Sequence, residues 1–154
     1  MRIKLLLAAL VCVTLSACGG KPDYQTTTGA SGRFSDLQGR WLLINYWAEW
    51  CKPCLAELPE LNRFNREFAA KASVFAVNFD GARDEQLRQQ VAKLGIEVPV
   101  LNEDPAEKLG YKRPEVLPST YVFSPDGKLQ QVLQGEQTFE TLAAAIHQSS
   151  QGKP

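Results

Sequence analysis

The sequence predicts one α/β domain in which a single central mixed β-sheet is flanked by helices. Two nearly continuous apolar runs, residues 41–47 and 73–79, are typical of buried central strands. Between them the apolar period becomes helical, and a hairpin pattern followed by a last helix closes the chain. The order β-α-β-α and then β-β-α fits a parallel βαβ unit extended by an antiparallel hairpin.

The first half of the domain has the clearest periodicity. The strand "WLLINYW" (41–47) precedes a helix predicted from Pro53 to about Ala70, and "SVFAVNF" (73–79) forms the next strand. Apolar side chains recur every three or four positions on one face of that helix: Leu55, Leu58, Leu61, Phe64 and Phe68. Pro59 lies inside the helix and is expected to kink it. Periodicity assigns these aromatic residues to the core: Tyr46, Phe64, Phe68, Phe75 and Phe139.

The middle of the chain predicts shorter elements. A helix over 84–94 is expected to end near Gly95. The piece "VPVLNE" (98–103) reads as extended chain, and a short helix follows over 105–109.

The last part of the chain predicts a hairpin covered by a helix. In "STYVFSPDGKLQQVLQG" (119–135) the turn is "SPDG", and apolar residues fill both arms. The final helix, "TFETLAAAIHQ" (138–148), has Thr138 as its expected cap and Thr141 or Glu140 in its first turn.

Composition limits the classes of function. The chain has 154 residues, of which 44% are hydrophobic, so it can build one domain with a sizeable core. Its 17 basic and 17 acidic residues give a formal net charge of zero. This balance argues against an electrostatic nucleic-acid binder, which needs a basic face.

The first residues have the pattern of a bacterial export signal. Arg2 and Lys4 form a positive start, and Leu5 to Leu15 is an apolar run too short to span a bilayer as a helix. "LSAC" then resembles a lipobox, which implies a signal peptide over 1–17 and lipidation of Cys18. Two or three acyl chains would anchor the protein stably to a membrane. The alternative is a plain secretory signal that is cut nearby and leaves Cys18 as an unpaired thiol.

A spacer is expected between the anchor and the domain. Residues 18–32 hold the lipidated cysteine and a polar stretch rich in Gly, Thr and Ser, which predicts a flexible tether. The folded domain is then expected over 33–150. The residue after Cys18 is Gly19, not the aspartate that resembles an inner-membrane retention signal. Anchoring to the inner membrane and anchoring to the outer membrane both remain alternatives.

The cysteine count leaves one pair for sulfur chemistry. Cys12 would leave with the signal peptide and Cys18 would carry lipid, so Cys51 and Cys54 remain. A structural zinc site needs four ligands, and the chain's one histidine, His147, lies almost a hundred residues away. An export compartment is oxidising, so a disulfide can persist there. We expect neither zinc nor a bound cofactor.

The motif "WAEWCKPC" places this pair at the start of a helix. Pro53 fits the first helical turn, which puts Cys51 at the helix N-terminus and Cys54 one turn inside, on the same face. Free backbone N–H groups, the helix dipole and the charge of Lys52 all favour a thiolate at Cys51. We therefore expect Cys51 to attack a partner disulfide and Cys54, the more buried sulfur, to resolve the mixed disulfide. The alternative is an inert staple, although so short a loop constrains the unfolded chain little.

These motifs resemble the thioredoxin superfamily, and in particular its TlpA/ResA-like branch of membrane-tethered, extracytoplasmic thiol-disulfide oxidoreductases. The resemblance rests on "WAEWCKPC" after a buried strand, on "CLAELP" (54–59), on the long segment 81–99 and on "VLPSTYVFSPDGK" (116–128). It covers residues 34–147 and implies the thioredoxin fold.

The resemblance also implies roles for residues outside the pair. Pro118 resembles the cis-proline that packs beside the disulfide, and with Leu117 it would bind substrate backbone. Glu57 matches a glutamate that manages the proton of the resolving cysteine; its alternative is a solvated helix residue. Asn45 stands where thioredoxin has a buried aspartate, and since an amide cannot shuttle a proton, this departure gives Glu57 more weight.

Two tryptophans and a histidine complete the candidate set. Trp50, together with Lys52 and Pro53, would offer a docking surface for substrate, whereas Trp47 is assigned to the core. His147 lies in the last turn of the final helix, where its partial charge is favourable, and no catalytic role is expected for it.

The predicted function is a lipid-anchored thiol-disulfide oxidoreductase that acts as a monomer outside the cytoplasm. By resemblance it would reduce oxidised protein thiols, which include apocytochrome c cysteines, with electrons from a membrane thiol reductase. One alternative is a disulfide donor or isomerase, since Lys52 and the helix terminus stabilise the reduced form. A non-enzymatic alternative is a thioredoxin-like binding module or a Cu(I) chaperone, which the lack of Met and His near the motif weakens.

Overall fold

The computed structural model describes residues 21–148. The expected signal peptide and Cys18 lie outside these residues. In chain order the elements are β1 (Tyr24–Gln25), β2 (Ser31–Gly32), a 3₁₀ turn (Phe34–Leu37), β3 (Trp41–Trp47), α1 (Lys52–Glu67), β4 (Ala72–Asn78), α2 (Asp84–Leu94), β5 (Val100–Leu101), α3 (Ala106–Leu109), β6 (Ser119–Phe123), β7 (Leu129–Gln134) and α4 (Phe139–Gln148). Within this part of the chain no helix combines the length and apolarity that crossing a membrane requires.

The main sheet has five strands in the order β5-β4-β3-β6-β7, with β3 at its centre. β4 runs parallel to both β3 and β5, whereas β6 pairs antiparallel with β3 and with β7. This mixed sheet with flanking helices confirms the predicted fold class. Apart from Asn45, the central strand is apolar throughout because it is buried on both faces.

Each face of the sheet has its own core. On one face α1, α2 and α4 pack over buried residues that include Trp47, Cys54, Phe64, Leu87 and Leu142. The other face carries an aromatic cluster whose members include Phe34, Tyr46, Phe75, Tyr121 and Phe123. The assignment of Tyr46, Phe64 and Phe75 to the core is confirmed.

The helix bounds follow the predicted ones closely. α1 runs through Pro59 and ends at Glu67, three residues before the predicted end, with Phe68 as its C-cap. α2 has the predicted bounds, and Gly95 closes it in a left-handed conformation with φ 64°, which glycine adopts without strain. The amide of Thr141 donates to Thr138 Oγ1 at 3.3 Å, as a capping residue requires. His147 lies exposed in the last turn of α4.

The structure corrects the expected tether. Residues 24–32, predicted as flexible spacer, form the β1–β2 hairpin and pack against the aromatic face of the sheet. The Tyr24 ring lies 4.9 Å from Phe34 and 5.0 Å from Phe75, measured between ring centroids. Thr26 is buried and forms a bridge to Leu101 at the edge of the sheet. The polar composition misled the prediction, because a single aromatic residue and backbone pairing to a free sheet edge hold this hairpin.

Candidate active site

A disulfide joins Cys51 to Cys54 at the point where β3 gives way to α1. The two Cα atoms are 5.2 Å apart, and Cys51 is the N-cap of the helix. Cys54 is completely buried, whereas 4% of Cys51 is exposed. Cys54 is therefore the more buried of the two, as predicted, although only a small part of Cys51 is accessible to solvent.

A backbone N–H of the first helical turn points at the outer sulfur. The amide N–H of Cys54 donates to Cys51 Sγ at 3.3 Å. Pro53 occupies the first turn, as predicted, and Lys52 is exposed beside it. An N-terminal position of this kind stabilises negative charge on a sulfur, through unpaired N–H groups and the helix dipole.

Glu57 lies one turn beyond Cys54 and is 2% exposed, so it is not a solvated surface residue. Its Oε1 accepts a hydrogen bond of 2.7 Å from Asn45 Nδ2, and its Oε2 accepts one of 2.9 Å from the backbone N–H of Gln137. Asn45 Nδ2 also donates to Thr120 Oγ1 at 3.0 Å. A carboxyl on α1 is thereby tied to the central strand and to the loop between β7 and α4.

Burial raises the pKa of Glu57 to about 7. The charge of Glu136 contributes to this rise, whereas the two hydrogen bonds from Asn45 and Gln137 favour the ionised form and partly offset it. A carboxyl with this pKa exchanges its proton near neutral pH, which suits a group that accepts and returns a proton.

The peptide bond between Leu117 and Pro118 is cis, as the sequence predicted. Because Ser119 pairs with Tyr46, Pro118 lies beside the carboxyl end of β3, from which the chain continues to Cys51. The carbonyl of Pro118 accepts from the N–H of Gly135 at 2.9 Å, so the loop that bonds Glu57 also holds the cis-proline segment.

The two tryptophans of the motif have opposite environments. Trp47 is fully buried in the core, as predicted. Trp50 is 65% exposed, and its Nε1–H donates to Asp80 Oδ2 at 2.9 Å. Val116, just before the cis-proline segment, is 50% exposed. Few large apolar side chains in the described part of the chain are this exposed, and these two lie on segments that flank the disulfide.

The sequence did not indicate the contacts that hold these residues. A polar Asn45 inside an apolar strand was the available signal for a buried partner of Glu57. No sequence pattern indicated the backbone N–H of Gln137 or the carboxylate of Asp80, because these loop residues reach the site only through tertiary packing. Within residues 21–148 no group of three or more His, Cys, Asp or Glu side chains could hold a metal ion.

Comparison with known proteins identifies the family of this chain. Residues 21–132 match the AhpC/TSA family. The thioredoxin-like protein YneN of Bacillus subtilis is 31% identical over 121 residues, which are 76% of this chain and 71% of the relative. The thiol-disulfide oxidoreductase ResA of Oceanobacillus iheyensis is 30% identical over 116 residues, which are 75% of this chain and only 60% of the relative.

Solved structures agree on the fold. The exposed lipoprotein thioredoxin of Streptococcus pneumoniae superimposes with a TM-score of 0.68 at 22% identity, over 81% of this chain and 96% of that one. StoA from Bacillus subtilis gives a TM-score of 0.64 at 19% identity, over 77% and 90% of the two chains.

A thioredoxin-like fold with a cysteine pair at the start of its first long helix defines a thiol-disulfide oxidoreductase. This chain belongs to the AhpC/TSA family and, within it, resembles the ResA and YneN proteins.

Proposed function

We propose that the protein reduces disulfides of exported proteins through Cys51 and Cys54. The observation that carries the proposal is the position of Cys51: it caps α1, receives the N–H of Cys54 and is the only one of the two sulfur-bearing residues that reaches the surface. The relatives named thiol-disulfide oxidoreductases support this class of reaction.

The reaction consists of two exchanges. The Cys51 thiolate attacks one sulfur of a substrate disulfide; the new bond forms as the substrate S–S bond breaks, and the other substrate sulfur leaves as a thiolate that takes a proton. The Cys54 thiolate then attacks the Cys51 sulfur and releases the second substrate sulfur in the same way. The cysteine pair loses two electrons and ends as the disulfide, and an external dithiol must reduce it again.

Glu57 is proposed to take the proton from the Cys54 thiol before the second attack. Both side chains are buried and one helical turn apart, so bulk water has little access to the Cys54 proton. The pKa of Glu57, about 7, lets the carboxylate accept this proton and lose it again after the substrate leaves.

We propose that substrate docks over Trp50, Lys52, Pro53, Leu117 and Pro118. Trp50, Lys52 and Pro53 are exposed, whereas Leu117 is half-buried and Pro118 is buried. An apolar surface at the disulfide suits an extended or unfolded polypeptide, whose apolar side chains are accessible. No cofactor is required by this mechanism, and we propose that the monomer is active.

Trapping tests the roles of the two cysteines. In the variant Cys54→Ala the mixed disulfide at Cys51 cannot be resolved, so covalent complexes with partners are expected to accumulate under non-reducing electrophoresis. Cys51→Ala should form none. Complexes with Cys51→Ala alone would reverse the assignment of attacking and resolving sulfur.

We further propose that Cys18 carries lipid and anchors the domain outside the cytoplasm. The reductase would then receive electrons from a membrane thiol reductase and act on exported thiols, apocytochrome c cysteines among them. The export signal and the lipobox support this placement. Cys18→Ala is expected to move the protein from the membrane fraction to the soluble fraction; unchanged membrane association would contradict lipid anchoring.

The reduction potential decides between reductase and disulfide donor. The donor alternative is favoured by the same N–H and Lys52 that stabilise the reduced Cys51. Equilibration with glutathione or dithiothreitol is expected to give a value near or below about −230 mV, in the range of thioredoxin and glutaredoxins. A value near about −120 mV would identify a disulfide donor.

A further inference from the structure

Glu49 lies in the turn that joins the central strand to the active-site helix. The N–H of Cys51 donates to the carbonyl of Ala48 at 3.1 Å and closes this turn around Glu49 and Trp50. A carboxylate is thereby fixed two residues before the proposed attacking sulfur.

Helix α2 holds both oxygens of this carboxylate. Lys93 Nζ lies 2.6 Å from Oε1, and Gln90 Nε2 donates to Oε2 at 3.2 Å. Gln90 Oε1 in turn accepts from Asn78 Nδ2 at 3.1 Å, at the end of β4. The hydrogen bond and charge of Lys93 lower the pKa of Glu49, so its carboxylate is ionised at neutral pH.

A negative charge fixed in the same turn as Cys51 opposes formation of a thiolate there, and a positive charge bound to it offsets that effect. The other charged side chains around the turn are Lys52 at the start of α1, Asp80, which accepts from Trp50, and the buried Glu57. Of these, none contacts Glu49 in the part of the chain that the structure describes. The compensating charge therefore comes from α2.

We propose that the Lys93–Glu49 ion pair is the contact through which helix α2 keeps the turn from opposing ionisation of Cys51. Both are positioning residues that act by changing how readily the Cys51 thiol ionises, and neither touches substrate. The inference rests on the proposed function, in which Cys51 is the attacking thiol.

Opposite effects of the two partners provide the test. Lys93→Met leaves the Glu49 charge uncompensated and is expected to raise the pKa of the Cys51 thiol by about half a unit. Glu49→Gln leaves Lys93 uncompensated and is expected to lower it by a similar amount, whereas the double variant should return close to the parent. At a pH below the pKa of Cys51, its rate of alkylation should therefore fall about threefold in Lys93→Met and rise about threefold in Glu49→Gln.

The measurement uses the full-length chain, reduced and alkylated with iodoacetamide across a pH series. Peptide mass spectrometry reads Cys51 separately from the other cysteines. Arg88→Met is the matched control, because Arg88 pairs with Glu85 on the same helix at 2.9 Å and does not contact the turn. Salt at about 1 M should shrink the differences, since both partners are partly exposed.

Two results would overturn the inference. One is a shift of the same sign in both single variants, which a loosened turn would cause. The other is shifts no larger than that of Arg88→Met. If Cys54 is alkylated faster than Cys51 in the parent, the proposed function fails and the inference with it; if Cys51 is faster but insensitive to these changes, the inference alone fails.

Discussion

The side-chain amide of Asn45 donates a hydrogen bond of 2.7 Å to the Glu57 carboxyl inside the domain. Both residues are at least 98% buried, so this contact is shielded from bulk solvent. An amide has a donor and an acceptor, and by rotating it can serve either protonation state of its partner. Asn45 can thus support the proton transfer that we propose for Glu57 on the neighbouring helix, in place of a carboxyl of its own.

Glu57→Gln is expected to flatten the pH dependence of stability. The raised pKa of Glu57 means that the folded chain holds a proton which the unfolded chain loses, so stability falls as pH rises from about 4.5 to about 7 and is level above. The full effect is about 3 kcal/mol. Denaturation at pH 5, 6, 7 and 8 measures it, with Glu60→Gln as the control on the same helix. An equal slope in the Glu57→Gln variant would contradict the burial argument.

The same substitution is expected to remove a step in the pH profile of disulfide exchange. If Glu57 takes the Cys54 proton, the rate of resolution should rise as Glu57 ionises around pH 7 and should lose this rise in the Gln variant. Stopped-flow decay of a preformed mixed disulfide isolates the resolving step. A superimposable profile in both proteins would leave Glu57 with a structural role only.

Asn45→Asp is expected to place two carboxyl groups in direct contact. They cannot both ionise without repulsion, so the variant should lose about 3 kcal/mol of stability at pH 8 and regain much of it at pH 5. Asn45→Ala, which removes a donor but adds no charge, should lose stability with a much weaker pH dependence. Matching pH profiles for the two variants would exclude the proposed repulsion.

The two tryptophans of the motif are expected to respond differently to truncation. Trp47→Ala removes a fully buried ring and should cost about 3 to 5 kcal/mol. Trp50→Ala should change stability by less than about 1 kcal/mol, because the ring is exposed. It should raise KM for protein disulfides if the ring contacts substrate as proposed. Denaturation and steady-state kinetics separate these effects. A large stability loss in Trp50→Ala would show that it is a packing residue.

Tyr24→Ala is expected to destabilise the domain by about 2 to 3 kcal/mol, since its ring packs against Phe34 and Phe75. A flexible spacer would show no effect. Thr28→Ala, an exposed change in the same hairpin, is the control. Equal denaturation midpoints for the parent and both variants would restore the spacer interpretation.

Local patterns predicted the elements that local physics determines. The apolar run of β3, the period of α1 and the bounds of α2 all follow from the spacing of side chains along the chain. Pro53 similarly placed Cys51 at a helix start. These features need no knowledge of distant residues.

Long-range contacts account for what the sequence could not predict. The β1–β2 hairpin is too short and polar to form a strand pattern, and it is held by Leu101 and Phe75, which are far along the chain. The partners of Glu57 likewise come from a central strand and from the loop after β7. Its position inside an apolar strand marked Asn45 as unusual, but the sequence did not indicate which side chain Asn45 would contact.

If Cys18 carries lipid as proposed, the packed β1–β2 hairpin would limit how far the domain can move from the membrane. Asp23 is already fixed, because its N–H donates to Gly32 and its carboxylate accepts from the N–H of Phe34, each at 2.9 Å. Residues 19–22, which connect Cys18 to Asp23, can span at most about 14 Å, whereas a free connection through residue 32 could span about 48 Å. An anchored molecule would therefore stay close to the bilayer, and it would meet partners that diffuse in or just above the plane of the membrane.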